Sequence, residues 1–300
     1  MKKFFFGITT PILCSLIVAV LFTSCFQAVE TNEEEEIVGK SSDSNLTFRI
    51  TRVGEEPFLS PGQSDSELSF SRLCFAVYGT DGQRVDQINQ QAEDKSFGEA
   101  SFHLDEGDYK MVVIAHSSTK NPTMTNLSKV QFNNSTGYTD TYLYYTTLAV
   151  TGEPQTVTLT LGRICSLCRF VISDPIPDGV SQIKFRYTGG SGHFSALTGL
   201  GVTNSKQVVT RQVQPGQQYQ VFDLYTFLHQ QEGTIALTAS ALDAAGESLY
   251  EWEFDVPMAR NQITWFTGNF FTGESASTRW LVTPNIALDT SWARQLFCTY

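Results

Sequence analysis

Apolar side chains in this chain fall at every second residue over short runs, and that spacing constrains the fold more than any other feature. Ile183, Phe185 and Tyr187 alternate with polar neighbours, and Tyr250, Trp252, Phe254 and Val256 alternate with Glu251, Glu253 and Asp255. A period of two places one set of side chains on one face of a strand and the other set on the opposite face. Ile235, Leu237, Ala239 and Ala241 share a face in the same way. Asp243-Ala-Ala-Gly246 separates that run from Tyr250, so the two runs read as a hairpin with one wet side. Further strands are expected over 46–53, 70–78, 97–104, 108–116, 141–150, 155–161, 163–173 and 262–271. Gly79-Thr80-Asp81-Gly82 and Asp105-Glu106-Gly107 are turn signals between them. Segments 58–69 and 121–137 read as loops. Met111–Ala115 is apolar on both faces, which suits a central strand covered on both sides. Only Phe222–Gln230 approaches a helical period, over about two turns. The expectation is an all-β fold of antiparallel β-sandwiches. A length of 300 residues fits two in tandem, over 45–161 and 162–300.

The first 24 residues read as an address. Lys2 and Lys3 precede Phe4–Phe22, an uncharged and mostly apolar run that Pro11 interrupts and Thr23-Ser24-Cys25 follows. A positive start, an apolar middle and a small residue at the cut mark a secreted precursor. As a helix the run would span roughly 28 Å, so a single membrane anchor is the competing reading. Leu21-Phe22-Thr23-Ser24-Cys25 resembles a bacterial lipobox. That resemblance implies a signal peptide over 1–24 and acylation of Cys25, palmitate included. One acyl chain binds a membrane only marginally, whereas several on one residue make a lasting tether. Residues 25–44 then read as an acidic, flexible linker, because Glu33–Glu36 repel one another and keep the chain extended. An acidic run in that place also resembles the surface-export signal of Bacteroidetes lipoproteins.

Charge and chemistry exclude several classes. Twenty Lys plus Arg against 31 Asp plus Glu give a net charge of −11, the wrong sign for neutralising phosphates, so no nucleic-acid partner is expected. Six Cys in 300 residues are too few for a disulfide scaffold. Gly189-Gly190-Ser191-Gly192 lacks the lysine and the strand-to-helix context of a phosphate loop and reads as a turn. His103, His116, His193 and His229 show no ligand spacing. Cys165 and Cys168 have no second ligand pair for zinc. At i and i+3 of a strand they point to opposite faces, so both read as buried thiols, as does Cys74. Trp252 and Trp265 are expected in the core. Trp280 and Trp292, in the tail, are freer to stack on a sugar. No catalytic residue, metal or cofactor is expected.

Longer motifs resemble a known group. Arg72-Leu-Cys-Phe-Ala-Val-Tyr-Gly-Thr-Asp81-Gly82 and Leu104-Asp-Glu-Gly107-Asp-Tyr109-Lys-Met-Val-Val-Ile-Ala115 are similar to the N-terminal domain of Bacteroidales fimbrillin-like lipoproteins. Gly162-Arg163, Ile176-Pro177, Tyr187-Thr-Gly189-Gly190 and Arg260-Asn261-Gln-Ile-Thr264 with Thr267-Gly268-Asn269-Phe270-Phe271 are similar to that group's C-terminal domain. The minor-subunit or anchor branch is the nearest match, over about residues 45–275. The resemblance implies two transthyretin-like β-sandwiches, a lipid-anchored and surface-exposed position at the outer membrane, and assembly with other fimbrial subunits by β-strand donation. It also implies adhesion, with a host or bacterial surface receptor or a glycan as a further partner.

The candidate donor strand lies near 278–292, where Trp280, Val282, Ile286 and Leu288 share one face. The same stretch also reads as the second domain's own last strand. In the family, stalk subunits lose an N-terminal strand after an arginine. Arg49 and Arg52 fall inside an expected strand, which favours a subunit that keeps its lipid. The alternative function is a surface glycan-binding lipoprotein of a polysaccharide-uptake system.

Overall fold

The computed structural model describes residues 43–58, 69–133, 137–272 and 291–300. The leader 1–24, Cys25, nearly all of the acidic linker, and Trp280, Val282, Ile286 and Leu288 lie outside the described residues. The described chain is all-β, with no helix.

The first half contributes β1 (Leu46–Val53), β2 (Glu56–Pro57), β3 (Arg72–Tyr78), β4 (Arg84–Gln91), β5 (Glu99–Phe102), β6 (Gly107–His116), β7 (Val130–Gln131), β8 (Tyr142–Val150) and β9 (Gln155–Arg163). Strands β4-β3-β6-β8 form one antiparallel layer. Strand β1, flanked by β5 on one side and β9 on the other, forms the second. The end of β9 joins the layers, pairing Arg163 with Tyr142 and Gly162 with Leu143 of β8. The inner faces meet in a core built on Phe48, Phe75, Phe102, Met111 and Val113.

The second half contributes β10 (Ser166–Ile172), β11 (Gln182–Gly190), β12 (His193–Phe194), β13 (Ser205–Gln212), β14 (Gln220–Thr226), β15 (Glu232–Leu242), β16 (Ser248–Ala259), β17 (Gln262–Gly268) and β18 (Arg294–Thr299). Sheets β14-β10-β17-β18 and β13-β11-β15-β16 face each other. Their core centres on Phe170, whose ring lies 5.2 Å from Phe185, 5.9 Å from Phe266 and 4.8 Å from Tyr300.

A third core joins the halves. Strand β6 is covered on both faces: Met111, Val113 and Ala115 enter the first core, and Val112 and Ile114 enter the third. Across from them lie Ile164, Leu167, Ile263 and Trp265 of the second half. Met124, Leu127, Val130 and Phe132 fill the space between, and β7 pairs with β12 across the junction. The described residues from 43 to 300 accordingly form one compact unit. The 161/162 division read from the sequence falls inside β9.

Several expectations change. Three pairings are parallel, β1 with β9, β10 with β17 and β17 with β18, each needing a long crossing connection. Segment 163–173 is not one strand: the chain turns at Ile164-Cys165 between layers, where Ile164 N–H donates to Thr141 O at 3.0 Å. Phe222–Gln230 is not helical. Residues 220–226 pair with β10 along their whole length, and Phe222 and Leu224 enter the second core. Cross-strand burial outweighs the weak local helical pattern. Loop 121–137 carries core residues. The strands β4 and β13 escaped the sequence reading because they are sheet edges with mostly exposed, polar residues.

Replacing Phe170 by alanine opens a cavity among five aromatic rings and should cost about 3–5 kcal/mol. Equilibrium urea unfolding measures the loss. Because the third core couples the halves, the natural chain should unfold in one transition.

Candidate functional site

The chain leaves the first sandwich at Arg163, and a buried polar cluster forms around that side chain. Pairing with β8 aims Arg163 at Asp140, and both are buried. The guanidinium Nε and Nη2 donate to Oδ1 and Oδ2 of Asp140, each at 2.8 Å. Nη2 also donates to Tyr142 Oη and, at 3.3 Å, to Ser291 Oγ. Nη1 donates to the Ser291 carbonyl and, at 3.4 Å, to Asn261 Oδ1. The planar group is sandwiched, with its Cζ 4.0 Å from the Trp292 ring centre and 4.8 Å from that of Tyr142. Tyr142 O–H donates to Asp140 Oδ2 at 3.0 Å and so accepts from Ser69 Oγ at 2.9 Å.

Each nitrogen of the guanidinium has an acceptor, so the cluster is a satisfied joint. Burial pulls the Arg163 pKa down, but hydrogen bonding and charge from Asp140 outweigh it and hold the group above its ordinary range. A charge pair so completely bonded has no proton to lend to a reaction.

The thiols are equally inert. Cys165 packs in the third core and Cys168 in the second, on opposite sides of the sheet. Cys165 S–H donates to Asp140 Oδ1 at 3.3 Å. Burial first, then the Asp140 charge, push its pKa well up. Burial pushes the Cys74 thiol to about 12. Reactive thiols need the opposite shift. Cys298, on β18, is half-buried against the second core.

The histidines stay apart. His116 Nδ1 accepts from Ser118 N–H at 3.1 Å, so Nε2 carries the proton and faces Cys74 Sγ at 3.6 Å. Burial and the nearby Arg72 charge lower its pKa to about 4. His193 bonds Thr203 at 2.6 Å, His229 bonds the Gly201 carbonyl at 3.0 Å, and exposed His103 meets the Asp43 carbonyl. Among the described residues no three His, Cys, Asp or Glu converge as metal ligands.

The glycine run packs tightly. A Cβ on Gly192 would collide with the Tyr138 hydroxyl and one on Gly190 with Thr226. The tryptophans reverse two expectations. Trp292 is buried in the third core under Arg163, because the chain returns there to begin β18. Trp252 is 43% exposed, because it lies in the first half of edge strand β16, where residues 248–253 are all exposed, and its indole N–H donates to Phe270 O at 3.0 Å. Trp265 is buried, as expected. Arg49 and Arg52 lie within β1, and Arg49 pairs with Glu99 at 2.7 Å.

Two further features were invisible in the sequence. Buried Asp174 accepts backbone N–H bonds from Phe270, Phe271 and Thr272 at 2.8, 2.7 and 2.9 Å. A cleft of about 610 Å³ also opens beside the joint, lined by Ser117, Thr139 and Asp140 of the first half and Arg211, Gln220 and Tyr225 of the second.

Residues 39–296 match the profile of a family described as a family of unknown function, DUF6562. The chain belongs to the DUF6562 family. No curated protein matches this DUF6562 member. Among solved structures it is similar to a candidate adhesin from Bacteroides ovatus, 15% identical, with a TM-score of 0.49 over 71% of this chain and 82% of that one. It is similar to candidate polysaccharide-binding proteins (DUF1812) from Bacteroides thetaiotaomicron, 11% identical, with a TM-score of 0.44 over 69% of this chain and 79% of that one. It is also similar to the fimbrial anchor protein Mfa2 from Porphyromonas gingivalis, 10% identical, with a TM-score of 0.39 over 69% and 80%. These likenesses are too remote to carry a role to the DUF6562 chain.

Arg163→Met strands the Asp140 carboxylate and should cost the DUF6562 chain about 3–5 kcal/mol in chemical denaturation. The double variant Arg163→Met/Asp140→Leu should recover much of that loss. For His116, the folded-state pKa lies below the unfolded value of 6.5, so the unfolded chain binds the proton first. Stability should therefore fall as pH drops from 6.5 to about 4, by roughly 3 kcal/mol in all. Urea midpoints measured across that range should show a slope that His116→Gln reduces.

Proposed function

We propose that this chain is a cell-surface lipoprotein of fimbrial type, tethered to the outer membrane through Cys25 and joined to other fimbrial subunits as an anchor or accessory component. Its role is structural and adhesive. The observation that carries this reading is a succession along the chain: an apolar leader ending at Ser24-Cys25, an acidic stretch, and a two-sandwich body whose first strand begins at Leu46. A lipid on Cys25 would hold such a body at a membrane surface, and the like-charged stretch would keep it clear. The satisfied joint at Arg163 and the inert thiols support a role without turnover.

Open sheet edges support assembly. Among the described residues, strands β4, β13, β14, β16 and β18 each end a sheet, and such an edge has a row of backbone groups for a neighbour's strand. The donor in this reading is the stretch around Trp280, Val282, Ile286 and Leu288. Trp292 and β18 are not part of it, because they are committed to the chain's own body.

Two experiments test the reading. Cys25→Ala should abolish acyl labelling and membrane attachment. Attachment that persists without acylation would refute the tether. Simultaneous replacement of Trp280, Val282, Ile286 and Leu288 by serine should abolish polymer formation and leave the thermal midpoint of the monomer unchanged. Polymers that form normally would refute the donor.

A further inference from the structure

The cleft beside the Arg163 joint has a cation that no carboxylate among the described residues pairs with. On β13, Gln207, Val209 and Arg211 share the face turned into the second sandwich. Gln207 and Val209 are buried, but Arg211 is exposed, because the next inward position after Val209 opens on the cleft. Its guanidinium donates to the Thr210 carbonyl at 3.2 Å, and among the described residues it has no ion pair. Gly137, at a φ of +88°, lets the loop from the first sandwich approach: a Cβ there would lie 3.3 Å from Val209 Cγ2 and 3.7 Å from Arg211 Nη2.

The acids in the cleft wall are already neutralised. Asp140 is held by Arg163, and Asp223 by Arg169 in two bonds of 2.7 and 2.8 Å. Among the described residues, Arg211 is therefore a lining charge with no ion-pair partner, in a chain whose net charge is −11. A second irregularity lies at the same rim. Tyr219, exposed and one residue before β14, has a φ of +53°, a region that bulky L-residues rarely enter and that strained loops at binding sites use.

The rest of the lining decides the ligand class. Five Ser, Thr and Gln side chains supply hydroxyls and amides, Tyr138 and Tyr225 supply rings, and Val221 and Phe222 add apolar surface. Sites for apolar small molecules are lined mostly by hydrocarbon. Many hydrogen-bonding groups, a ring and a planar cation without a carboxylate among the described residues fit a polyhydroxylated ring that carries a carboxylate, which a guanidinium grips with two parallel bonds. We propose that this cleft binds a carboxylated oligosaccharide, uronate or sialate, with Arg211 holding the carboxylate. Such binding requires neither the lipid tether nor subunit assembly.

Calorimetric titration of the full chain in detergent with trigalacturonate, sialyllactose and the neutral maltotriose tests it. At least one acidic sugar should bind tenfold or more tighter than maltotriose, and less tightly as salt rises. Trigalacturonate alone would assign uronates, sialyllactose alone sialates, and both would assign the carboxylate as the shared determinant. Arg211→Gln should weaken the acidic sugar at least tenfold with an unchanged circular dichroism spectrum. Arg211→Lys, which keeps the charge and loses the fork, should fall between. The proposal is overturned if neither acidic sugar outbinds maltotriose, or if Arg211→Gln and Arg211→Lys both bind like the natural chain.

Discussion

The bond on which this structure depends is the buried pair between Arg163 and Asp140. Removing two charges from water is costly, and the cost is offset only where the geometry is good and every remaining donor and acceptor is engaged. Here the guanidinium is forked onto the carboxylate, stacked between Trp292 and Tyr142, and bonded to Asn261 and Ser291. Those partners come from the end of one sandwich, a turn in the other and the segment that leads into the last strand. One side chain thereby ties together three parts of the chain far apart in sequence.

The third core makes that joint rigid. The outer faces of β3 and β6 would otherwise present Ala76, Val112 and Ile114 to water. They are covered by β10, β17, Phe194 of β12 and the loops that carry Phe132 and Phe227, the three phenyl rings lying 4.8–6.3 Å apart. The halves are therefore packed into one compact unit, and the cleft beside their junction takes its walls from both. A binding surface that spans two sandwiches gains from this, because little ordering remains to be done when a ligand arrives.

The arrangement is economical in its chemistry. Buried ionisable groups are held in one protonation state by burial and by partners, and the sheet edges carry the unpaired backbone that can meet a neighbour. Arg211 stands apart from this pattern as a cation at an inward position with no carboxylate partner among the described residues.

Strand character, the double-sided burial of β6 and the opposed burial of Cys165 and Cys168 were legible in the sequence, because side-chain alternation is a local property of an extended backbone. Polar edge strands β4 and β13 were not, since an edge buries too little to impose a pattern. Nor were the burial of Trp292 or the exposure of Trp252, which depend on where a distant layer begins and ends. Alternation along the chain was enough to establish that it makes sheets. Only the tertiary structure decided that two sandwiches share a third core, that Arg163 closes their junction, and that Arg211 opens on a cleft. Those outcomes depend on which faces meet across long separations, and spacing along the chain does not encode that.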